Sequence, residues 1–173
     1  LLAGCSSTPE EKPPCPRLVM PPDIALLDRY QNQAGIEQRV ARVAIIEASG
    51  ECSAADNRIT LGLNVKFGAQ KDRGSQLEVL PVEYFAAILD ARDQILAKET
   101  LPLNFTFAKG DNAALAEDYL ELNIPAKPLD RVASYRVVLG MQMSRADFQR
   151  WSDKQGVKPQ AAPIMPVATD QKE

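Results

Sequence analysis

Ile59-Thr60-Leu61-Gly62-Leu63-Asn64-Val65-Lys66-Phe67 alternates apolar and polar side chains without a break. Successive side chains of a strand point to opposite faces. The period of two therefore places Ile59, Leu61, Leu63, Val65 and Phe67 on one face, and Thr60, Gly62, Asn64 and Lys66 on the other. It predicts a half-buried strand, dry on one side and wet on the other.

Toward the N-terminus, β-branched and small residues from Arg39 to Ile46 predict a second strand, and Gly50 to Asn57 carries turn chemistry. Asp28 to Gln38 is polar and reads as a loop, while Cys15 to Leu27 is punctuated by proline and runs extended, with Ile24, Leu26 and Leu27 forming an edge strand. Toward the C-terminus, Gly68 to Glu78 reads as a loop and Val82 to Leu89 as a strand apolar on both sides. Asp90-Ala91-Arg92-Asp93-Gln94 is the turn of a hairpin that returns through Ile95 to Thr100 and on to Phe107, with Pro102 marking a bulge or an edge. Asp111 to Asp118 is expected to form one or two helical turns before Tyr119 to Ile124 alternates again, and Tyr135, Val137, Leu139, Met141 and Met143 line one face of the last strand. About seven strands with no helix long enough to cross over between parallel strands predict an immunoglobulin-like antiparallel β-sandwich. Ser144-Arg145-Ala146-Asp147 resembles a capping box with Asp in place of Glu, and it opens a short C-terminal helix through about Lys154. That helix carries Phe148 and Trp151, three apart, which either pack onto one end of the sandwich or form an exposed partner-binding ridge.

Composition narrows the chemistry. The chain of 173 residues is 45% hydrophobic and 25% charged, enough for one ordinary core, and its net charge of −3 with interspersed signs offers no basic stripe for nucleic acid. Histidine is absent, which excludes Ser-His-Asp and Cys-His catalysis and His-containing zinc sites. No phosphate loop is present, and Gly110-Asp111-Asn112 lacks the ligand rhythm of a calcium loop, so no metal or cofactor is expected. Asp90, Asp93 and Glu99 lie close in sequence around a hairpin and could form a carboxylate pair for glycoside hydrolysis, but solvated turn residues are the simpler reading.

Leu1-Leu2-Ala3-Gly4-Cys5, followed by Ser6-Ser7-Thr8-Pro9-Glu10-Glu11-Lys12-Pro13-Pro14, resembles the end of a bacterial lipoprotein signal leading into a tether. The resemblance implies cleavage before Cys5 and lipidation of that residue, and Ser6 rather than Asp after the cysteine points to the outer membrane. No run approaches the roughly 18 apolar residues that span a bilayer, so the lipid on Cys5 is the expected membrane attachment. Cys15 and Cys52 then remain as an even pair in an oxidising compartment, for which a disulfide is expected over two buried thiols or a reactive nucleophile. The expected organisation is a signal remnant over 1–4, a lipidated tether over 5–14, a sandwich domain over 15–155 and a disordered tail over 156–173.

Cys15-Pro16, Gly50-Glu51-Cys52, Phe85-Ala86-Ala87-Ile88-Leu89-Asp90, Ala97-Lys98-Glu99-Thr100 and Tyr135-Arg136-Val137-Val138-Leu139-Gly140 give the chain, over most of Cys5 to Trp151, a resemblance to small alphaproteobacterial lipoproteins of unknown function. Those motifs are structural and bring no catalytic residues. The expectation is a non-catalytic binding or assembly module on the periplasmic face of the outer membrane with an envelope protein as partner. The alternatives are a small envelope enzyme using a carboxylate pair and a carrier of an apolar ligand between the sheets.

Overall fold

The computed structural model describes residues 14–55, 58–125 and 129–156. They form a β-sandwich of two four-stranded sheets. Strands are β1 (Arg17–Val19), β2 (Leu26–Gln33), β3 (Ile36–Ala55), β4 (Arg58–Lys71), β5 (Val79–Leu89), β6 (Ile95–Thr106), β7 (Ala113–Pro125) and β8 (Arg136–Met141). One sheet has the order β1-β8-β5-β6 and the other β2-β3-β4-β7. Every pairing is antiparallel except that of β1 with β8. The expected mainly-β sandwich is present, with eight strands rather than seven.

The opening stretch is the centre of the second sheet. Ile59, Leu61, Leu63, Val65, Phe67 and Ala69 of β4 are all buried, as the period of two requires, and they face Tyr84, Ala86, Leu139 and Met141 of the other sheet. Phe67 meets Tyr84 with ring centroids 4.7 Å apart. Consecutive Ile45 and Ile46 in β3 cannot both face inward on a regular strand, and a bulge separates them. Ile45 stays in the core while Ile46 is 57% exposed and lies over Gly68.

Four elements differ from the reading of the sequence. Asp28 to Gln38 is not a loop: β2 and the start of β3 form a hairpin there, turning at Ala34 and Gly35, both with positive φ. Polar residues tie it: Arg42 of β3 chelates Asp28 of β2 at 2.7 and 3.0 Å, and Arg39 of β3 chelates Asp72, just past the end of β4, at 2.8 and 2.9 Å. The turn read at Gly50 to Asn57 is absent up to Ala55, because β3 continues through Gly50 and Cys52 in register with Leu63 and Leu61. The loop read from Gly68 begins only after Lys71, where β4 ends. Asp111 to Asp118 is not helical: from Ala113 it is strand β7, paired with β4 over its whole length without a register shift.

The Asp90–Gln94 turn and the edge position of Pro102 hold. Asp90 Oδ1 accepts the Arg92 and Gln94 N–H groups at 2.8 and 3.0 Å, and β6 is an edge strand. The sandwich ends at Gln142, and the chain from Met143 forms a second unit containing α1 (Arg145–Gln155). The capping box read from Ser144 and Asp147 is formed in both directions, and Gly156 closes the helix in the left-handed conformation. Most of the tail read over 156–173 lies outside the described residues.

Candidate functional site

Of the residues the sequence singled out, Cys5 lies outside the described residues. Cys15 and Cys52 are joined by a disulfide. Cys15 stands two residues before β1 in one sheet and Cys52 lies within β3 of the other, so the bond ties the two sheets together. Phe148 and Trp151 stack on α1 with ring centroids 5.6 Å apart, and Phe148 is 43% exposed.

The three carboxylates do not assemble into a site. Asp90 is occupied by the backbone of its own turn, which holds its carboxyl below the ordinary range through the Gln94 and Arg92 N–H groups. Asp93 pairs with Arg136. Glu99 lies on β6 opposite Ala86, away from that turn.

The feature the sequence did not reveal is the side of the sandwich where β6 and β7, the edges of the two sheets, run near each other. Directly opposed residues of an antiparallel pair share a face. Ala97 and Glu99 oppose Ile88 and Ala86, which belong to the core, so both point to the inner side. Both are nevertheless exposed, because the facing sheet does not cover them. With Ala86, Ile88 and Leu122 they line a groove of about 350 Å³ between the sheets. Deeper in, the Tyr84 hydroxyl donates to Asp118 Oδ2 at 2.8 Å and bridges β5 to β7 across the core. Burial first, then that bond and the charges of Asp118 and Glu99, push the pKa of Tyr84 well above the ordinary tyrosine value.

Hydrogen-bond parity shows what the β7 edge offers. Lys71 N–H donates to Asn112 C=O, and Gln70 opposes Ala113, so the even-numbered residues of β7 direct their backbone groups to β4. The odd-numbered ones, Ala113 through Asn123, direct theirs away from the sheet. The Tyr119 N–H is already taken, by Asp118 Oδ1 at 2.9 Å. Among the described strands none pairs with that side of β7.

The four sheet edges are not alike. β1 is three residues long, and the pairing of β2 is broken by a bulge at Val40 of β3, opposite Arg29 and Tyr30. On β6 the same parity argument, from the Phe107 N–H bond to Glu78 C=O, puts Pro102 where a free-edge donor would be, and Lys98 adds a charge. Shortness, bulges, proline and lysine all keep edges from pairing with other chains. Strand β7 is 13 residues long, has no proline before Pro125, no lysine and no bulge.

The outer face beside β7 is partly apolar. Leu26, Ala44, Gly68 and Leu115 form a register row across all four strands, and Leu115 is 80% exposed. Further along, Tyr119 lies across Gly62, so close that a Cβ there would stand 2.6 Å from its hydroxyl oxygen. Tyr119 borders a shallow trough of about 560 Å³ with Ser49, Glu51, Asn64 and Glu121.

The chain matches no protein-family model, no curated protein and no solved structure. Its own geometry is therefore the basis of a functional reading. Local propensity hid the β7 edge, since Ala113-Ala114-Leu115-Ala116-Glu117 is a helix-forming run; the signal that could have found it is the odd-even alternation of Leu120, Leu122 and Ile124 continued backward through Asp118 and Ala116.

Proposed function

We propose that this protein is a non-catalytic binding module of the bacterial envelope, held by lipid on Cys5 at the periplasmic face of the outer membrane, as in the small lipoproteins that its motifs resemble. The observation that carries the binding half is β7, a long regular edge with no proline before Pro125, no lysine and no bulge, whose outward N–H groups are open among the described residues except the one at Tyr119 that Asp118 takes. An extended segment of another protein can add to such an edge, gaining main-chain hydrogen bonds along its length. Leu115 and Tyr119 supply apolar contact beside it. The address half rests on Leu2-Ala3-Gly4-Cys5 and the polar, proline-rich stretch behind it. Ser6 to Pro14, if extended like polyproline, would span about 30 Å and hold the sandwich clear of the headgroups.

A two-part experiment in intact cells tests this. Cys5→Ser is expected to move the protein from the membrane to the soluble periplasmic fraction, and unchanged membrane partitioning would defeat the anchor. A photo-crosslinking residue in place of Leu115 is expected to capture an envelope protein. Capture of nothing, with the sandwich folded, would defeat the binding role of this edge.

A further inference from the structure

The β7 edge and the neighbouring groove are adjacent, since Leu122 and its flanks Glu121 and Asn123 belong to both. A strand laid along β7 would send its side chains alternately inward, to the groove, and outward, beside Leu115, Glu117, Tyr119 and Glu121. The groove is the space the inner-facing set would need: Ala97 of β6 is exposed in it, and the buried Ala86, Ile88 and Leu122 form its apolar floor.

Charge selects the occupant. β7 carries Glu117, Asp118 and Glu121 and not one Lys or Arg. Two cations nearby already have partners: Lys66, opposite Glu117, pairs with Glu47 at 3.1 Å, and Lys98, which lines the groove, donates to Gln142 at 2.9 Å and sits 4.3 Å from the centre of the Phe85 ring. Glu99 adds a further carboxylate beside the groove. A second copy of β7 would bring the same acidic strand and no cation of its own to oppose it. The chain's own C-terminal stretch is unsuited as well, because Pro159, Pro163 and Pro166 lack the N–H groups that a ladder uses.

Resting on the binding reading above, we propose that β7 and the groove form one receptor for an extended, basic segment of a partner protein, which adds as a fifth strand, sets alternate apolar side chains over Ala86, Ile88, Ala97 and Leu122, and carries Lys or Arg toward Glu117 and Glu121. The sandwich is thus completed in trans. The main-chain ladder supplies register-tolerant affinity, the groove selects alternate apolar residues, and the carboxylates select charge.

Three short peptides probe it against the full chain: one alternating Val and Lys, one alternating Val and Glu, and the Val/Lys peptide with alternate backbone nitrogens methylated. The Val/Lys peptide is expected to bind at least about tenfold more tightly than Val/Glu, and to weaken as salt rises. Backbone methylation should remove binding, and hydrogen exchange should slow at the Leu115, Glu117, Glu121 and Asn123 amides. Ala97→Trp, which fills the groove from an exposed position, should abolish binding at unchanged melting temperature; Glu117→Lys with Glu121→Lys should reverse the preference between the charged peptides. Equal affinity for the two charged peptides overturns the chemistry assigned to the partner while leaving edge binding intact. Binding that spares the β7 amides, or that survives Ala97→Trp, overturns the site. Absence of binding by all three, alongside capture of an envelope protein at position 115, overturns the strand-addition mode without touching the binding role.

Discussion

Where β1 and β2 lie, the sandwich is laced shut: Cys15 is bonded to Cys52 across the sheets, Met141 N–H donates to Ile24 C=O, and Ile24 packs against Gly140. Along β6 and β7 the sheets are joined by the Tyr84–Asp118 hydrogen bond, and beyond it inner-side residues such as Ala97 stay in water. The two sides use the same strands and the same alternation of side chains. They differ in what ties the sheets: a disulfide and a backbone hydrogen bond on one, the 107–112 connection and the Tyr84–Asp118 hydrogen bond on the other. The β1–β2 side is thereby cross-linked covalently, and the β6–β7 side keeps the unpaired backbone of β7, the requirement for receiving another strand.

Removing the lacing should give the largest effect. Cys15→Ser with Cys52→Ser opens a loop with a sequence separation of 37. On the chain-entropy account that costs about 4 kcal/mol, measured as a shift in denaturant unfolding. A loss below about 1 kcal/mol would show that the crossing chain, not the bond, closes this side.

Equal insertions on the two sides sharpen the contrast. At Gly140 an added Cβ would stand 2.8 Å from the Phe85 ring and 2.9 Å from Ile24 Cδ1, closer than side chains approach. Gly140→Val should therefore cost about 1–3 kcal/mol through overpacking. Ala97→Val, at an exposed position on the other side, should stay within about 0.5 kcal/mol. Comparable losses in thermal melts would mean that the β6–β7 side is packed as tightly as its opposite.

The hydroxyl bridge on the β6–β7 side ranks below the disulfide and above Ala97 in expected effect. Tyr84→Phe removes the donor to Asp118 and should cost about 1 kcal/mol. It should also change the alkaline limb of stability. The folded-state pKa of Tyr84 is raised above the ordinary value of 10.0. Above that pH the unfolded chain has released a proton that the folded chain still holds, so the stabilisation is complete below pH about 10 and is lost as pH rises past it. Melts of the wild type and Tyr84→Phe should accordingly converge above pH about 10, and curves that stay parallel would remove Tyr84 from the linkage.

The residues legible in advance were those whose environment is set by one face of one strand or by one turn. The alternation through Ile59–Phe67 and through Val137, Leu139 and Met141 marked the two central strands because each buries one complete face. The Asp90 turn and the Ser144 cap were readable because their hydrogen bonds close within a few residues. The even cysteine pair pointed to its disulfide by chemistry alone.

Only the tertiary structure decided the rest, and the edges account for most of it. β2 is polar and carries no clear strand signature in sequence, because an edge strand held by the pairing of Asp28 with Arg42 and by hairpin hydrogen bonds needs little buried surface. β7 holds residues that favour helix locally, by a few tenths of a kcal/mol each. Pairing with β4 over its whole length and burial of Leu120, Leu122 and Ile124 override that preference. The groove belongs to no single segment, since Ala86, Ala97 and Leu122 come from three strands in two sheets. A sequence states which residues can be buried; which edges meet, and what they leave uncovered between them, is fixed by how the sheets stack.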